Sequence, residues 1–477
     1  MRVRKIASCL LVIGMSVQIL MGIVWILCNF PSGWTYPEAE YYISVADSWV
    51  LDEYTGVLYP VLIKGSQIVM GCLGLPFEGL LYLVQIIASF VCYSAFVILC
   101  RWNRGRNPQS LLRGAFGGLY LLTVPLCVQW HLSILPLSLL SSLFLLLLGL
   151  CIRAAGNDEY CGRNLAVWMG ILWALMTLLA PDYWWIALVP VVFAGILLVK
   201  KNGLKGLAGF VIVAVMASVL ALGTNSAVQT PGSSGKIQRT LGAAMVSRMV
   251  WPNFDTTYFF WPDEIKAVMN FEESREISTY ADQVQRVFGP LAEKTYGREN
   301  ANEMYWQMAI SCVEIRTKEI VQAIWRDFTA YLFTPWRVKN QLDGSGLSYS
   351  GWNYDKMKTD TPRLTRWYVD YGLVSFRVGL IVSACLAAWK MIGRFGGKNK
   401  PDRKKSGTQG CLRKGRYAGY VLVVLCALSQ AVWYTMAGGG MMDYRNVPVV
   451  ILLWYYVILY STDVCLKEQE NYEKQGI

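Results

Sequence analysis

Long apolar runs recur along most of the chain and are separated by short polar segments. Windows of about 19 residues, the length of a helix that crosses a bilayer, predict about ten membrane spans. They lie at 6–28, 78–100, 111–130, 132–152, 164–181, 184–199, 204–224, 372–393, 417–437 and 447–464. The pattern therefore predicts an all-α polytopic membrane protein with about ten transmembrane helices.

The polar pattern divides the chain into three parts. Residues 1–224 hold about seven of the predicted spans and a long first outer loop at 29–77. Residues 225–370 form one large hydrophilic segment, and residues 371–477 hold about three further spans and a basic loop at 394–416. We expect a transmembrane core, an outer subdomain and a C-terminal group of transmembrane helices.

Both outer segments show helical periodicity. From Pro37 to about Tyr54, the apolar face of an amphipathic helix comprises Tyr42, Val45, Ala46, Trp49 and Val50, while Glu40, Ser44 and Asp47 oppose it. Residues 57–76 are apolar but contain Lys64, which predicts a surface or re-entrant element. In the large hydrophilic segment the period recurs at 263–290 and 300–333, so we expect a mainly helical extracytoplasmic subdomain.

Charge fixes the expected orientation and excludes one class of partner. Charged residues make up only 16% of the chain, against about 25% in soluble domains. The net charge of +12 does not come from the large hydrophilic segment, which holds 17 Lys/Arg and 17 Asp/Glu. It comes from short segments such as 394–416, with nine Lys/Arg and one Asp. Positive residues stay on the cytoplasmic side, so both termini are predicted cytoplasmic in a cell membrane, and no nucleic-acid surface is expected.

Cysteine and histidine usage argues against a metal centre built from these residues. Of 13 cysteines only Cys312 lies well inside the large hydrophilic segment, and the chain has no CxxC pair. His131 is the single histidine. A Cys/His zinc site needs several such ligands, so none is predicted. His131 itself is expected to be a wetted interfacial residue at a tight outer turn between two spans.

The most informative polar segment follows the first span directly. It reads Tyr36-Pro37-Glu38-Ala39-Glu40-Tyr41-Tyr42 and places an acid at the outer membrane surface. A carboxylate there could act as a general base toward an acceptor hydroxyl or amine. The same residues also match a helix N-terminus, with Pro near the start and Glu38 in a capping box opened by Thr35. Both interpretations of Glu38 stand at this point.

This segment resembles the polytopic C-type-fold glycosyltransferases that use polyprenyl-phosphate sugars, which include protein mannosyltransferases and lipid A aminoarabinose transferases. Glu38 falls on the catalytic acid of that family, Tyr42 on its Tyr and Ala46 on its Ala. Pro60 and Leu62 fall on its proline-leucine element. The family usually has Asp at the position of Glu38 and a second acid where this chain has Ala39, so Glu40 is the alternative acid.

The resemblance implies transfer of a hexosyl or pentosyl group to an envelope glycan, lipid or protein on the outer face. Glu38 activates the acceptor, and basic side chains hold the donor phosphate, because guanidinium and ammonium groups stabilise a departing anion. The phosphate candidates are Arg445, in the last outer loop, and Lys64, Arg248 and Arg337. The candidates for binding the sugar or the acceptor are Glu40, Tyr42 and Asp182. The expected partners are the lipid-linked sugar, membrane lipid and the acceptor, and a divalent-metal requirement is left open.

Two other functional classes fit the same topology. A transporter or flippase of envelope precursors would have many apolar spans, although it often shows paired halves and charges near mid-membrane. A non-catalytic envelope-assembly protein could keep the scaffold and lose the acid pair, as the change to Glu38-Ala39 allows. Release of sugar from a polyprenyl-phosphate donor separates the three.

Overall fold

Helices dominate the part of the chain that the computed structural model describes. That part comprises residues 2–30, 37–51, 56–100, 108–156, 163–181, 186–228, 246, 250, 253–278, 289–333, 338–339, 348–349, 362–395, 419, 421–432, 453 and 457–458. The first nine helices are α1 (Arg2–Asn29), α2 (Pro37–Ser48), α3 (Leu58–Gly71), α4 (Phe77–Cys100), α5 (Pro108–Leu122), α6 (Pro125–His131), α7 (Leu137–Gly156), α8 (Arg163–Leu179) and α9 (Leu188–Val228). The following helices are α10 (Phe254–Thr257), α11 (Asp263–Val268), α12 (Phe271–Ser278), α13 (Gly289–Tyr296), α14 (Arg298–Phe333), α15 (Pro362–Phe395) and α16 (Val421–Val432). One short antiparallel pair joins β1 (Val338–Lys339) to β2 (Ser348–Tyr349).

Four helices of the described residues are long and apolar enough to cross a membrane. They are Cys9–Asn29, Phe77–Cys100, Leu137–Ala155 and Leu188–Val228. Shorter apolar helices are Leu111–Leu122, Asn164–Leu179 and Val421–Val432. The structure therefore supports a helical, membrane-associated protein.

Helix α9 is broken at one glycine. Gly203 has φ 65° and ψ −164°, a backbone conformation that glycine adopts without a steric penalty. This break lies between the predicted spans 184–199 and 204–224. Close to it, the Lys201 ammonium donates a hydrogen bond to the Ala154 carbonyl near the end of α7, at 3.0 Å. Such a cation satisfies a terminal carbonyl and complements the negative end of a helix.

The predicted span 111–130 is not one continuous helix. Helix α5 ends at Leu122 and α6 begins at Pro125, with a non-helical step at Thr123 and Val124. Proline has no N–H to donate and disfavours helical backbone at the preceding residue, which accounts for the step. The apolar pattern predicts a single membrane span here and misses the break.

Side chains from two other helices satisfy the carbonyls that this break exposes. The Gln18 amide on α1 donates to the carbonyls of Tyr120 and Thr123, both at 3.3 Å. The Tyr368 hydroxyl on α15 also donates to the Thr123 carbonyl. Unpaired backbone groups in an apolar interior cost several kcal/mol, so these contacts fix α1 and α15 against the break.

The chain forms two compact units. One comprises Met1–Pro231, Lys356–Cys426 and Ile451–Ile477, and the other comprises Gly232–Asp355 and Ala427–Val450. In the second unit a hydrophobic core gathers Tyr258, Trp261, Ile265, Tyr305 and Met308 among other buried residues. The Tyr258 ring lies 5.0 Å from that of Trp261, measured between centroids. This unit thus has an apolar interior of its own.

Helix α14 supplies one wall of that core and bends at Arg316, where φ is −128° and ψ is 35°. Met308 and Ile320 are buried as the periodicity predicts, whereas Ile315, next to the bend, is 39% exposed. The bend therefore shifts the phase of the apolar face. Cys312 is buried in the same core, and burial raises the pKa of its thiol to about 11, so it stays protonated at neutral pH.

Candidate functional site

The predicted site residues that the structure describes lie on the two helices after the first span. Glu38, Glu40 and Tyr42 belong to α2, and Lys64 belongs to α3. The Glu38 backbone is helical, and its side chain lies outside what the structure describes. Four further candidates lie outside the described residues: Arg445, Arg248, Arg337 and Asp182.

Helix α2 is amphipathic but shorter than expected. It begins at Pro37, buries Ala39, Val45 and Ala46, and exposes the Glu40 and Asp47 carboxylates. Helix α2 packs on α3, and the burial of Val45 and Ala46 agrees with the predicted apolar face.

The extension of α2 to about Tyr54 is wrong, because the helix ends at Ser48. The Ser48 hydroxyl donates to the Ser44 carbonyl at 2.7 Å and accepts the Val50 N–H at 3.3 Å. Trp49 then takes φ 55°, in the left-handed region, and is 40% exposed. Local bonds from a serine side chain compete with helical backbone bonds, which explains the end of the apolar face.

Two contacts join α2 to α3. The Lys64 ammonium lies 3.2 Å from an Asp47 carboxylate oxygen, with the two side chains 35% and 54% exposed. The rings of Tyr42 and Tyr59 meet edge to face, with centroids 5.3 Å apart and planes at 83°. The ion pair therefore lies at the surface, while the aromatic contact leads inward to the fully buried Tyr59.

Tyr59 is tied to the helical bundle by one buried amide. Its hydroxyl donates to Oε1 of Gln85 at 3.2 Å, and Nε2 of Gln85 donates to the carbonyls of His131 and Ser133 at 3.3 and 2.9 Å. Burial raises the pKa of Tyr59 well above its usual value, so the phenol keeps its proton. It acts as a donor in this chain of hydrogen bonds.

A cluster of hydroxyls continues this network between α4 and α7. The Ser89 and Ser138 hydroxyls are 3.0 Å apart, and the Ser142 hydroxyl donates to that of Ser89 at 2.9 Å. Nδ1 of His131 lies 2.7 Å from the Ser138 hydroxyl. His131 is 0% exposed, so its expected place at a wetted turn is wrong. Helices α1, α4, α7 and α15 all pack on α6, which ends at His131, and such contacts between distant segments cannot be read from the local sequence.

A second buried amide fixes the turn before α3. Oδ1 of Asn225, on α9, accepts the Val57 N–H at 3.1 Å, and its Nδ2 donates to the Thr177 carbonyl of α8 at 3.1 Å. The helical partner of that carbonyl would be the N–H of residue 181, which is Pro181 and has none. Asn225 therefore supplies the N–H donor that Pro181 lacks.

Gly56 lies against the same end of α8. A Cβ atom at this position would be 2.1 Å from the Leu178 carbonyl oxygen, so only glycine fits without a backbone shift. The turn before α3 thus packs directly on the carbonyl end of α8.

The sequence interpretation missed Gln85, Asn225 and Tyr59 as residues that organise the site. A signal existed for the first two, since Gln85 is a polar residue inside a predicted span and Asn225 follows another directly. Polar groups at such positions need specific partners. Their partners, however, are up to 168 residues away along the chain.

No metal cluster is found where the structure describes the chain: it contains no group of three or more His, Cys, Asp or Glu residues able to hold a metal ion. The described part of α2 and α3 offers instead the exposed Glu40 carboxylate and the Asp47 carboxylate paired with the Lys64 ammonium. Chemically, this arrangement can take up a proton and attract an anion.

We predict that Asn225→Leu destabilises the first unit. The change leaves the Val57 N–H and the Thr177 carbonyl without their partner, and a buried unpaired group costs about 1–3 kcal/mol. Thermal unfolding in detergent should begin at a lower temperature than for the wild type. The matched control is Ser226→Ala, an exposed neighbour on α9. Equal unfolding temperatures for the wild type and Asn225→Leu would show that this amide is not an anchor.

No protein-family model, curated protein or solved structure matches the chain. The resemblance of the segment from Tyr36 to Leu62 to the polyprenyl-phosphate-sugar transferases thus rests on the residues themselves.

Proposed function

We propose that the chain is a membrane glycosyltransferase that moves a sugar from a polyprenyl-phosphate donor to an envelope acceptor on the outer face. The observation that carries the proposal is the pairing of α2 with α3 directly after the first apolar helix. It brings the Asp47 carboxylate and the Lys64 ammonium together at the surface, 3.2 Å apart, on the helices that also carry Glu38 and Glu40. Glycosyl transfer from a lipid phosphate needs both kinds of group at the membrane surface.

The proposed topology places this pair where a donor head group emerges. With about ten spans and positive loops in the cytoplasm, both termini are cytoplasmic, and residues 29–77 and 225–370 face outward. Residues 225–370 then form an extracytoplasmic subdomain between the predicted spans 204–224 and 372–393.

In the proposed reaction Glu38 acts as the general base. It accepts the proton of the acceptor hydroxyl or amine while that oxygen or nitrogen attacks the anomeric carbon. The bond between that carbon and the phosphate oxygen breaks, and the polyprenyl phosphate leaves as an anion with inversion at the sugar. Glu38 lies one helical turn before Tyr42, so the Tyr42–Tyr59 contact holds the helix that carries it.

Lys64 is proposed to bind the donor phosphate, which replaces the Asp47 carboxylate as its ion-pair partner. An ion pair that is 35% and 54% exposed is weak, since surface pairs contribute about 0–1 kcal/mol. The singly charged phosphodiester of the donor can therefore displace the carboxylate. Arg445, Arg248 and Arg337 are the further proposed phosphate ligands, and Glu40, Tyr42 and Asp182 the proposed sugar or acceptor ligands. The proposal leaves open whether the reaction requires a divalent metal ion.

We predict that Glu38→Gln folds normally and loses transfer by at least about 100-fold, because glutamine keeps an oxygen for a capping hydrogen bond and cannot take a proton. The assay measures the release of sugar from polyprenyl-phosphate mannose and polyprenyl-phosphate aminoarabinose by purified protein. The matched control is Glu303→Gln, an exposed glutamate of the second unit. Wild-type turnover by the Glu38 variant would leave Glu38 as a helix cap only.

We predict opposite effects on the donor KM from the two partners of the surface ion pair. Asp47→Asn frees Lys64 and should lower the KM by up to about 5-fold, the equivalent of 1 kcal/mol. Lys64→Met removes a charge-assisted hydrogen bond and should raise it by about 10-fold or more.

The control for this pair is Asp263→Asn, which breaks a similar Lys266–Asp263 contact of 3.1 Å in the second unit. It should leave the donor KM unchanged. A donor KM that does not respond to Lys64→Met excludes Lys64 from the phosphate site. Movement of an intact lipid-linked precursor without sugar release would indicate the flippase alternative.

A further inference from the structure

We propose that Tyr59 and Gln85 are positioning residues that set the orientation of helix α2 and thereby of the acid it carries. The inference rests on the proposed function only in naming Glu38 as the positioned group. Neither residue is assigned contact with the donor or the acceptor. They act through Tyr42, which joins α2 to the buried network.

The Gln85 amide has a single orientation that satisfies all its partners. Its oxygen accepts from the Tyr59 hydroxyl at 3.2 Å, and its nitrogen donates to two carbonyls, at 3.3 Å for His131 and 2.9 Å for Ser133. A flipped amide would place its oxygen against the two carbonyl oxygens, which only accept hydrogen bonds, so both of these bonds would be lost. Gln85 is 0% exposed, so water cannot replace a lost bond.

The carbonyls that accept from Gln85 are themselves fixed. The His131 and Ser133 carbonyls lie where the chain leaves α6 and before α7 begins at Leu137. Non-helical backbone inside an apolar bundle is tolerated only when its polar groups are satisfied. The Ser138 hydroxyl, 2.7 Å from Nδ1 of His131, adds a further bond at the same turn. Tyr59 is thus held, through Gln85, by the hydrogen-bonded turn between α6 and α7.

Tyr59 in turn contacts α2 through Tyr42. The Tyr42 ring stands nearly perpendicular to the Tyr59 ring, at 83°, with its centroid 5.3 Å away. Tyr42 follows Glu38 by four residues and precedes Val45, which is buried, by three. Residues with this spacing lie along one side of a helix. A displacement of the Tyr59 ring therefore changes the rotation of α2 at the turn that carries Glu38.

Small displacements of a catalytic group matter because reacting atoms must lie about 3–3.5 Å apart, and a misplacement of about 1 Å can lower the rate by roughly 100-fold. A positioning role differs from general stabilisation in its kinetic signature. It lowers kcat while substrate binding, and hence KM, changes little.

The test uses Tyr59→Phe, which removes one hydroxyl and leaves the ring against Tyr42. The matched control is Tyr93→Phe, because Tyr93 is also 0% exposed and its hydroxyl lies 3.4 Å from that of Ser141. Tyr93 links α4 to α7 and its ring centroid lies 6.1 Å from that of His131, but removing its hydroxyl leaves the bonds of Gln85 to Tyr59, His131 and Ser133 in place. Both variants are studied as full-length protein in lipid nanodiscs, with polyprenyl-phosphate mannose and polyprenyl-phosphate aminoarabinose as donors.

Two quantities are measured for each variant: the kinetic constants for sugar release and the hydrogen-exchange rates of peptides from α2 and α7. For Tyr59→Phe we expect kcat to fall by about 10-fold, the donor KM to stay within about 2-fold, and exchange to accelerate in α2 but not in α7. For Tyr93→Phe we expect kcat and α2 exchange to match the wild type.

Unchanged α2 exchange in Tyr59→Phe overturns the proposal, and so does faster exchange without a loss of kcat. Equal losses of kcat in the two variants also overturn it, because they indicate general packing. Absence of sugar release by the wild type refutes the proposed function instead. In that case the exchange rates still decide whether Tyr59 and Gln85 hold α2.

Discussion

Irregular backbone inside an apolar helical bundle must have its polar groups paired, and in this chain the buried Gln85 amide meets that requirement. The turn between α6 and α7 presents the His131 and Ser133 carbonyls to the interior, and Gln85 donates to both. The remaining oxygen of the amide then determines where a donor must stand. Tyr59 is that donor. The pairing of two buried carbonyls in the bundle therefore fixes the first residues of α3.

The same logic applies to the turn just before α3. Pro181 leaves the Thr177 carbonyl without a helical donor, and Asn225 supplies one while accepting the Val57 N–H. Two amides from α4 and α9 therefore hold the turn and the first residues of α3 within a short stretch, 57–59. Helix α2 packs on α3 from there, with Tyr42 against Tyr59 and Asp47 against Lys64. The acid-bearing helix is consequently attached to the bundle and not only to its chain neighbours.

Local patterns predicted the parts of this arrangement that depend on neighbouring residues. The apolar runs indicated membrane helices, and the spacing of Val45 and Ala46 indicated the buried face of α2. The end of α2 at Ser48 and the division of the span at Pro125 were missed. Hydrophobic periodicity is averaged over many residues, so it does not detect a break caused by one serine side chain or one proline. The burial of His131 and the roles of Gln85 and Asn225 were missed for another reason. They depend on contacts between distant segments, such as the 168-residue separation of Val57 and Asn225. The roles of Glu38, Arg445 and the other site candidates stay predictions.

The most direct test of this account is a double-mutant cycle between Tyr59 and Gln85, built from Tyr59→Phe, Gln85→Leu and the combined variant. The measured quantity is the free energy of local opening of α3, obtained from hydrogen exchange of a peptide covering residues 58–64. Groups in one hydrogen-bonded network couple by about 0.5–3 kcal/mol. The account predicts coupling in that range, with the double variant opening no more easily than Gln85→Leu alone. Additive effects of the two substitutions would contradict it, because they would mean that Tyr59 is held independently of the buried amide.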